Sequence, residues 1–512
     1  MAGSGAAGAE IPVVVKRSAL LAASVIAACA LAVPAAQGKT GAAGDAGLGV
    51  RVEHPAGRAP YLADANGRML LLRGDTVNGL VEYNTDYQEQ VPVARSDFEE
   101  MAALGFNFVR LTTSWSRIMP EPGQIDTTYL DEVRQAASWA SDNGIYVLLD
   151  MHQDRYNRHT WPGNEVDGAP DWATQTDGTP CTVAIPPVPG YGKTTVCAEV
   201  AFQHFWDDDV VAGKPLQQWY LQATLALAGA GAGLPNIAGV DLFNEPTPGA
   251  VLPPLFEQSE LYPFYNRMIT GLRAADVRMP IWFEPNILRD VTDTAVTSSV
   301  RFSTDAQLVY APHIYTDTFS PPFDPSDPQA HLQLSYESAQ TEAALYGTPW
   351  VDEEFGGGAG GAWDTWLREQ IDLQNQFLVG SAFWIWKQQP GFYGWQTVQV
   401  DGSLRPDSVR AQLLGMPHVD AVPGQLVSTS ATPTSLTAVV SGPGGAAQLW
   451  GGAVVLKGGP TLATIVQPAV LVDGRAVKAS CTEREFSTAT VDLAGCVLSV
   501  PLPAGRHTIT VG

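Results

Sequence analysis

Along the middle of the chain, apolar and polar positions follow a repeating rhythm. A short apolar run stops at polar residues, a loop follows, and then comes a longer stretch with apolar positions at helical spacing. The runs predict eight strands: Leu70 to Asp75, Phe106 to Leu111, Tyr146 to His152, Ala238 to Asn244, Pro280 to Phe283, Leu308 to Tyr315, Pro349 to Glu354 and Ser381 to Trp386. The intervening stretches predict helices from Ser96 (as N-cap) to Leu104, Tyr129 to Asn143, Leu216 to Ala228, Leu261 to Ala275, Gln329 to Tyr346 and Trp363 to Phe377, with Asp407 to Leu414 closing the set. Strands alternating with helices imply a parallel sheet, and their near-continuous apolar character implies burial on both faces. Eight is the number that closes a (β/α)8 barrel. A doubly wound open sheet is the competitor. The barrel is preferred because polar residues gather at the C-terminal ends of nearly every strand, and a barrel brings all those ends to one mouth.

The rhythm is absent at both ends. Val50 to Arg73 reads as a hairpin turning at Asp64-Ala65-Asn66-Gly67, expected to cap the bottom of the barrel. Past Val419 the chain is rich in Gly, Pro, Ser, Thr and Val in short alternating runs, which predicts an all-β sandwich. The first 36 residues read as a secretory signal: Lys16-Arg17, the apolar run Ser18 to Leu31, and the small-residue site Val33-Pro34-Ala35-Ala36. Ile26-Ala27-Ala28-Cys29 offers lipoprotein anchoring as the lesser alternative. The expected organisation is a signal over 1–36, a linker over 37–49, a catalytic barrel with its hairpin over 50–418, and the sandwich over 419–512. An extracellular location follows.

Composition narrows the picture. A net charge of −24 argues against nucleic acid as a partner, which needs a basic surface. It also argues against simple attraction to anionic lipid heads. Cys181 and Cys197, and Cys481 and Cys496, are spaced for two local disulfides in an exported chain. Neither pair has zinc-ligand spacing, and no metal set is assembled elsewhere.

The candidate chemistry lies at two strand ends. Asp241-Leu242-Phe243-Asn244-Glu245-Pro246 and Trp350-Val351-Asp352-Glu353-Glu354-Phe355-Gly356 each run from apolar residues to a carboxylate before a chain-turning residue. Two carboxylates at one mouth are what glycoside hydrolysis needs: one protonated to serve the leaving oxygen, one ionised to attack. Strand alternation groups Asp241 with Phe243 and Glu245, and Asp352 with Glu354. Asp352 fits polar neighbours inside the barrel better than the helix layer, so Glu354 is preferred over Glu353. His152 and Asp154, after the third strand, are candidates to hydrogen-bond a hydroxyl pair. Tyr315, on one face with His313, is a candidate to hold the second carboxylate. Trp115, Trp384, Trp386, Phe392 and Tyr393 crowd the mouth, and Trp384 is the expected sugar platform. Apolar loops, Val251 to Phe256, Phe319 to Phe323 and Pro390 to Tyr393, would form a greasy lip or fold inward as packing.

Arg110, Asn244-Glu245-Pro246, His313-x-Tyr315, Glu354-Phe355-Gly356 and Trp384, in this order, resemble glycoside hydrolase family 5. Phe108-Val109-Arg110, Asp150-Met151-His152-Gln153-Asp154, Gly168 to Ala173, Ala201 to Trp206 and Pro312 to Tyr315 are most similar to its endoglycoceramidases, over roughly Leu70 to Leu414. The resemblance implies Glu245 as acid/base and Glu354 as nucleophile, Asn244 on the sugar 2-hydroxyl, Tyr315 supporting the nucleophile, and His152, Asp154 and Trp384 on the same sugar. It places Arg110 and His313 in the substrate site, needs no cofactor, and implies a glycosphingolipid cut between glycan and ceramide. Transient contact with a membrane surface and a monomeric state are expected with it. Two departures bear on the glycan: the loop Val77 to Gln90 lacks a lysine, and the Cys181/Cys197 pair lies outside the pattern. A soluble endoglucanase or mannanase, a steryl or simple glucosidase, and a non-catalytic carbohydrate-binding barrel are the alternative readings.

Overall fold

The computed structural model describes residues 49–81, 91–160, 168–182, 195–295, 299–320, 322–388, 394–457 and 468–512. The signal and most of the linker, Cys29, Phe392 and Tyr393 lie outside them. Eight parallel strands form one sheet: β1 (Arg73–Val77), β2 (Phe108–Ser114), β3 (Tyr146–His152), β4 (Ile237–Asp241), β5 (Ile281–Phe283), β6 (Leu308–Tyr310), β7 (Val351–Phe355) and β8 (Gly380–Phe383). Their order is β6-β5-β4-β3-β2-β1-β8-β7. Parallel bridges Tyr310 to Trp350 and His313 to Glu354 join the two ends, so the sheet closes as the rhythm of the sequence implied.

The barrel floor is filled by Phe108, Leu148, Ala238, Trp282, Val309, Val351 and Ala382, with Phe108 stacked on Trp282 at 5.8 Å. Outward-facing residues of the same strands pack against the helices in a second, larger core. Above the floor the inward positions turn polar: Arg110, Asp150, Asp241, Glu284, His313 and Glu353 are all buried.

Several boundaries move for identifiable reasons. β1 starts at Arg73 rather than Leu70, because Met69 and Leu70 pair antiparallel with Val422 and Ala421. The helix Arg95–Leu104 is not capped by Ser96; the side chain of Asp97 instead accepts from the Ala94 N–H at 2.8 Å. A helix over Val196–Trp206, unforeseen in the insertion, is capped by Thr195 accepting from the Ala198 N–H.

The C-terminal residues form two antiparallel sheets. One contains His418–Val422, Gly445–Lys457, Asp492–Leu502 and Ser480–Ser487, and is extended by the N-terminal strands Val50–Glu53, Tyr61–Asp64 and Met69–Leu70. The other contains Gln425–Thr432, Ser435–Gly442, Gly505–Val511, Val470–Val472 and Arg475–Ala476. The N-terminal hairpin is thus hydrogen-bonded to the C-terminal strands. Trp450, fully buried, packs in the barrel's outer core and donates its indole N–H to Gly415 O at 3.0 Å. Both cysteine pairs are disulfides, with Cα atoms 5.1 and 5.6 Å apart.

Candidate active site

Arg110 is the hub of the mouth. It sits on β2, has no exposed surface, and engages all three nitrogens. Nε meets Glu353 at 2.7 Å and Nη1 meets Glu354 at 2.6 Å. Nη2 meets Asn244 Oδ1 at 2.5 Å, Asp150 at 3.1 Å and Glu284 at 3.2 Å. A guanidinium so occupied holds the surrounding carboxylates in place.

Glu354 accepts a second strong bond, from the Tyr315 hydroxyl to Oε1 at 2.5 Å. Burial, and then the charge of Glu354, push the Tyr315 phenol well above its usual range, so it stays a donor. The reason Glu354 reaches the mouth is not the expected one. Asp352 faces the helices, accepting from Tyr336 at 2.8 Å, while Val351 and Glu353 face the interior. The β7–β8 register shifts between Asp352 and Phe355, and this irregularity brings Glu354 beside Arg110 as well. Burial pushes the Glu353 carboxyl up to about 8 against the opposing pull of Arg110.

Alternation fails on β4 too. Phe243 packs among Phe205, Trp206 and Phe264 on the helix side. Glu245 takes a left-handed backbone, φ +45°, which breaks the two-residue period and turns Asn244 and Glu245 to the same mouth. Asn244 donates to Gln153 O at 2.8 Å, and Gln153 donates back to Asn244 O at 2.7 Å and Glu245 O at 3.2 Å.

His313 lies between the two carboxylates. Nδ1 is 3.2 Å from Glu245 Oε1 and 3.8 Å from Glu354 Oε1, and Nε2 is 3.3 Å from Glu284. Burial disfavours its charge, but Glu284, Glu354 and Glu245 outweigh this and raise its pKa well above the imidazole range. Like Arg110 it is buried among protein partners. One ligand atom each from Glu245, His313 and Glu354 lie within 4.8 Å of one another. Asp241, Glu284 and Glu353 form a second such triad deeper in the barrel. Such triads have a geometry that accepts a cation; of their carboxylates, Glu354, Glu284 and Glu353 already meet Arg110.

His152 Nδ1 lies 2.9 Å from Asp150 Oδ2, a carboxylate oxygen that accepts its N–H, and the ring stacks on Trp384, with ring centroids 5.5 Å apart and planes 13° apart. Trp384 is half-buried, and its peptide bond to Ile385 is cis. Asp154 is half-buried on the loop after β3. Trp115 and Trp386, expected near the mouth, are buried packing residues: Trp115 against Trp172, Phe205 and Tyr220, Trp386 against Phe106. The aromatic wall beside Tyr315 is instead Phe319 and Trp395, with centroids 4.7 and 6.0 Å from the tyrosine.

Sequence reasoning passed over Glu284. Its signal was present: Ile281-Trp282-Phe283-Glu284-Pro285 is another apolar run ending in a carboxylate before proline. The apolar loops divide. Leu252 and Leu255 are 68% and 58% exposed and Phe323 is 42% exposed, whereas Phe256 is buried.

The family model described as Cellulase (glycosyl hydrolase family 5) matches residues 70–390. Endoglycoceramidase I of Rhodococcus hoagii (strain 103S) is 28% identical over 349 residues, 63% of this chain and 66% of that protein's length. The chain therefore spans just under two thirds of that relative. Among solved structures, an endogalactoceramidase superposes with a TM-score of 0.70 at 26% identity, over 90% of this chain and 100% of the other. Endo-glycoceramidase II from Rhodococcus sp., in complex with ganglioside GM3, does so with a TM-score of 0.67 at 24% identity, over 89% and 99%; at that identity the likeness is one of fold. The chain belongs to glycosyl hydrolase family 5.

Proposed function

We propose that this member of glycosyl hydrolase family 5 is a retaining β-glycosidase that hydrolyses the bond between glycan and ceramide in glycosphingolipids. The observation that carries the mechanism is the closeness of Glu245 and Glu354, with a carboxylate oxygen of each within 4.8 Å. Retention uses a carboxyl gap of about 5–5.5 Å, and inversion needs about 6.5–9.5 Å to admit a water between acid and sugar.

Glu354 is the nucleophile. Arg110 and Tyr315 both donate to it and fix its carboxyl toward the anomeric carbon. Glu245 protonates the leaving oxygen, then takes the proton of the water that releases the sugar from Glu354. Asn244 keeps a second amide hydrogen for the 2-hydroxyl while Gln153 and Arg110 fix its orientation. His152, Asp154 and Trp384 bind the same sugar, with the Trp384 face as its platform.

The lipid side of the reading rests on two supports. The endoglycoceramidase and endogalactoceramidase relatives act on glycolipids by their names. Leu252, Leu255 and Phe323 also expose apolar surface on the loops after β4 and β6. Transient contact with a membrane surface, a monomeric state and export follow from the same reading, and the two disulfides suit an oxidising compartment.

Incubation with glucosylceramide, lactosylceramide, a sialylated glycosphingolipid, a steryl glucoside and soluble β-glucan and β-mannan, followed by mass spectrometry, tests the proposal. Release of intact glycan together with ceramide is expected. Cleavage of the soluble polysaccharides or the steryl glucoside alone would replace it with one of the other family activities, and binding of glycan without any cleavage would replace it with a carbohydrate-binding role.

A further inference from the structure

Glu284 has no part in the two-carboxylate mechanism, yet it meets Glu245, Arg110 and His313 at once. It follows β5, is 2% exposed, and its own carbonyl accepts from the Tyr265 hydroxyl at 2.8 Å, which fixes its backbone. Oε2 accepts the backbone N–H of Glu245 at 2.7 Å. That N–H belongs to the one residue of the pair whose backbone is left-handed, a conformation that a non-glycine residue adopts only when its surroundings hold it there. Oε1 faces Arg110 Nη2 at 3.2 Å and His313 Nε2 at 3.3 Å. The other nitrogen of the same imidazole lies 3.2 Å from Glu245 Oε1. One carboxylate therefore reaches Glu245 in two ways: by accepting a hydrogen bond from its peptide N–H, and by an ion-pair contact with His313, whose other nitrogen meets the Glu245 carboxyl.

We propose that Glu284 is a positioning residue for proton donation: it holds the peptide of Glu245 in its left-handed turn and, through His313, aims the Glu245 carboxyl at the leaving oxygen. The inference rests on the reading of Glu245 as the acid/base. It distinguishes two groups of supports within the site, joined where Glu284 meets Arg110 at 3.2 Å. Arg110 and Tyr315 hold the nucleophile, and Glu284 and His313 hold the acid. A peptide N–H that donates to a carboxylate makes one of the stronger hydrogen bonds, and weakening it loosens the restraint on the turn.

The distinguishing property is dependence on the leaving group. An aryl glycoside with a 2,4-dinitrophenyl group departs without protonation, whereas one with a poorly acidic phenol needs the acid. A residue that aims the acid affects only the second. The test compares kcat/KM of wild type, Glu284→Gln and Glu284→Asp on a series of aryl β-lactosides of graded phenol acidity, with thermal midpoints for each protein. Glu284→Gln is expected to lose about 100-fold or more on the poorest leaving group and less than about tenfold on dinitrophenyl. Glu284→Asp, which keeps the charge with a shorter reach, is expected to fall between with the same gradation, and it carries the test if Glu284→Gln does not fold. Equal losses across the series, or no loss, would overturn the role of Glu284 while leaving the two-carboxylate reading intact. A wild type that turns over none of the lactosides would overturn both.

Discussion

At the scale of residues, the account depends on which of two adjacent glutamates reacts. Glu353 and Glu354 both meet Arg110, but only Glu354 also receives the Tyr315 hydroxyl. Burial pushes the Glu353 carboxyl up to about 8, which disfavours the ionised form a nucleophile needs. Glu354→Gln is expected to abolish turnover of an aryl glycoside, while Glu353→Gln, whose amide oxygen can still accept from Arg110, keeps activity within about tenfold of wild type; steady-state kcat values decide this. Removing the hydroxyl in Tyr315→Phe deletes one charge-assisted bond, worth about 1.5–3 kcal/mol. Its kcat is expected to fall by about 10–100-fold with a smaller change in KM.

On two elements the structure revises the reason for which the sequence brings Glu245 and Glu354 to one mouth. Alternation was applied to β4 and β7 as though both were regular to their ends. On β4, the left-handed turn at Glu245 resets the period; on β7, a register shift does. Neither irregularity has a sequence signature as plain as the apolar runs themselves. The carboxylate before a Pro or Gly was the legible part, and it also marked Glu284. What was not legible was the partnering of buried charge, because Arg110, Asp150, Glu284 and Glu353 come from four strands and meet only when the barrel closes. The C-terminal strands teach a similar lesson. Their composition announced a β structure, but their hydrogen bonds to Met69 and Leu70 and the seat of Trp450 against Gly105 depend on long-range contacts. Trp450→Ala is expected to destabilise the protein by about 3–5 kcal/mol, seen in denaturant unfolding, and to lower the stability of the barrel together with that of the sheets. A transition in which only the C-terminal residues unfold earlier would contradict this.

For the molecule as a whole, burial of acids sets a pH dependence of stability. Burial pushes Asp352, Glu353 and Glu100 each up to about 8, and the surrounding carboxylates raise His313 despite its burial. Unfolded, the carboxyls titrate near about 4 and the imidazole near about 6.5. Between the unfolded and folded values the native state binds more protons, so stability falls as pH rises. The contribution is fully present below about pH 4 and is lost progressively toward pH 8 and beyond. The net charge of −24 works in the same direction through self-repulsion. The melting temperature is expected to be higher at pH 5 than at pH 8, by calorimetry at constant ionic strength; a rise across that interval would contradict the assignment of buried protonated acids.

The eight-stranded order and the sandwich class were legible because repetition and composition are properties of long segments. The central claim, that Glu354 attacks and Glu245 serves as its acid/base, is a statement about two atoms at one mouth. It is tested most directly by incubating the protein with 2-deoxy-2-fluoro-β-lactosyl fluoride, which forms the glycosyl-enzyme quickly and releases it slowly, and mapping the labelled peptide by mass spectrometry. The account predicts one fluorosugar per chain, attached to Glu354. A label on Glu353 or on any other residue, or no adduct from a preparation that hydrolyses lactosides, would contradict it.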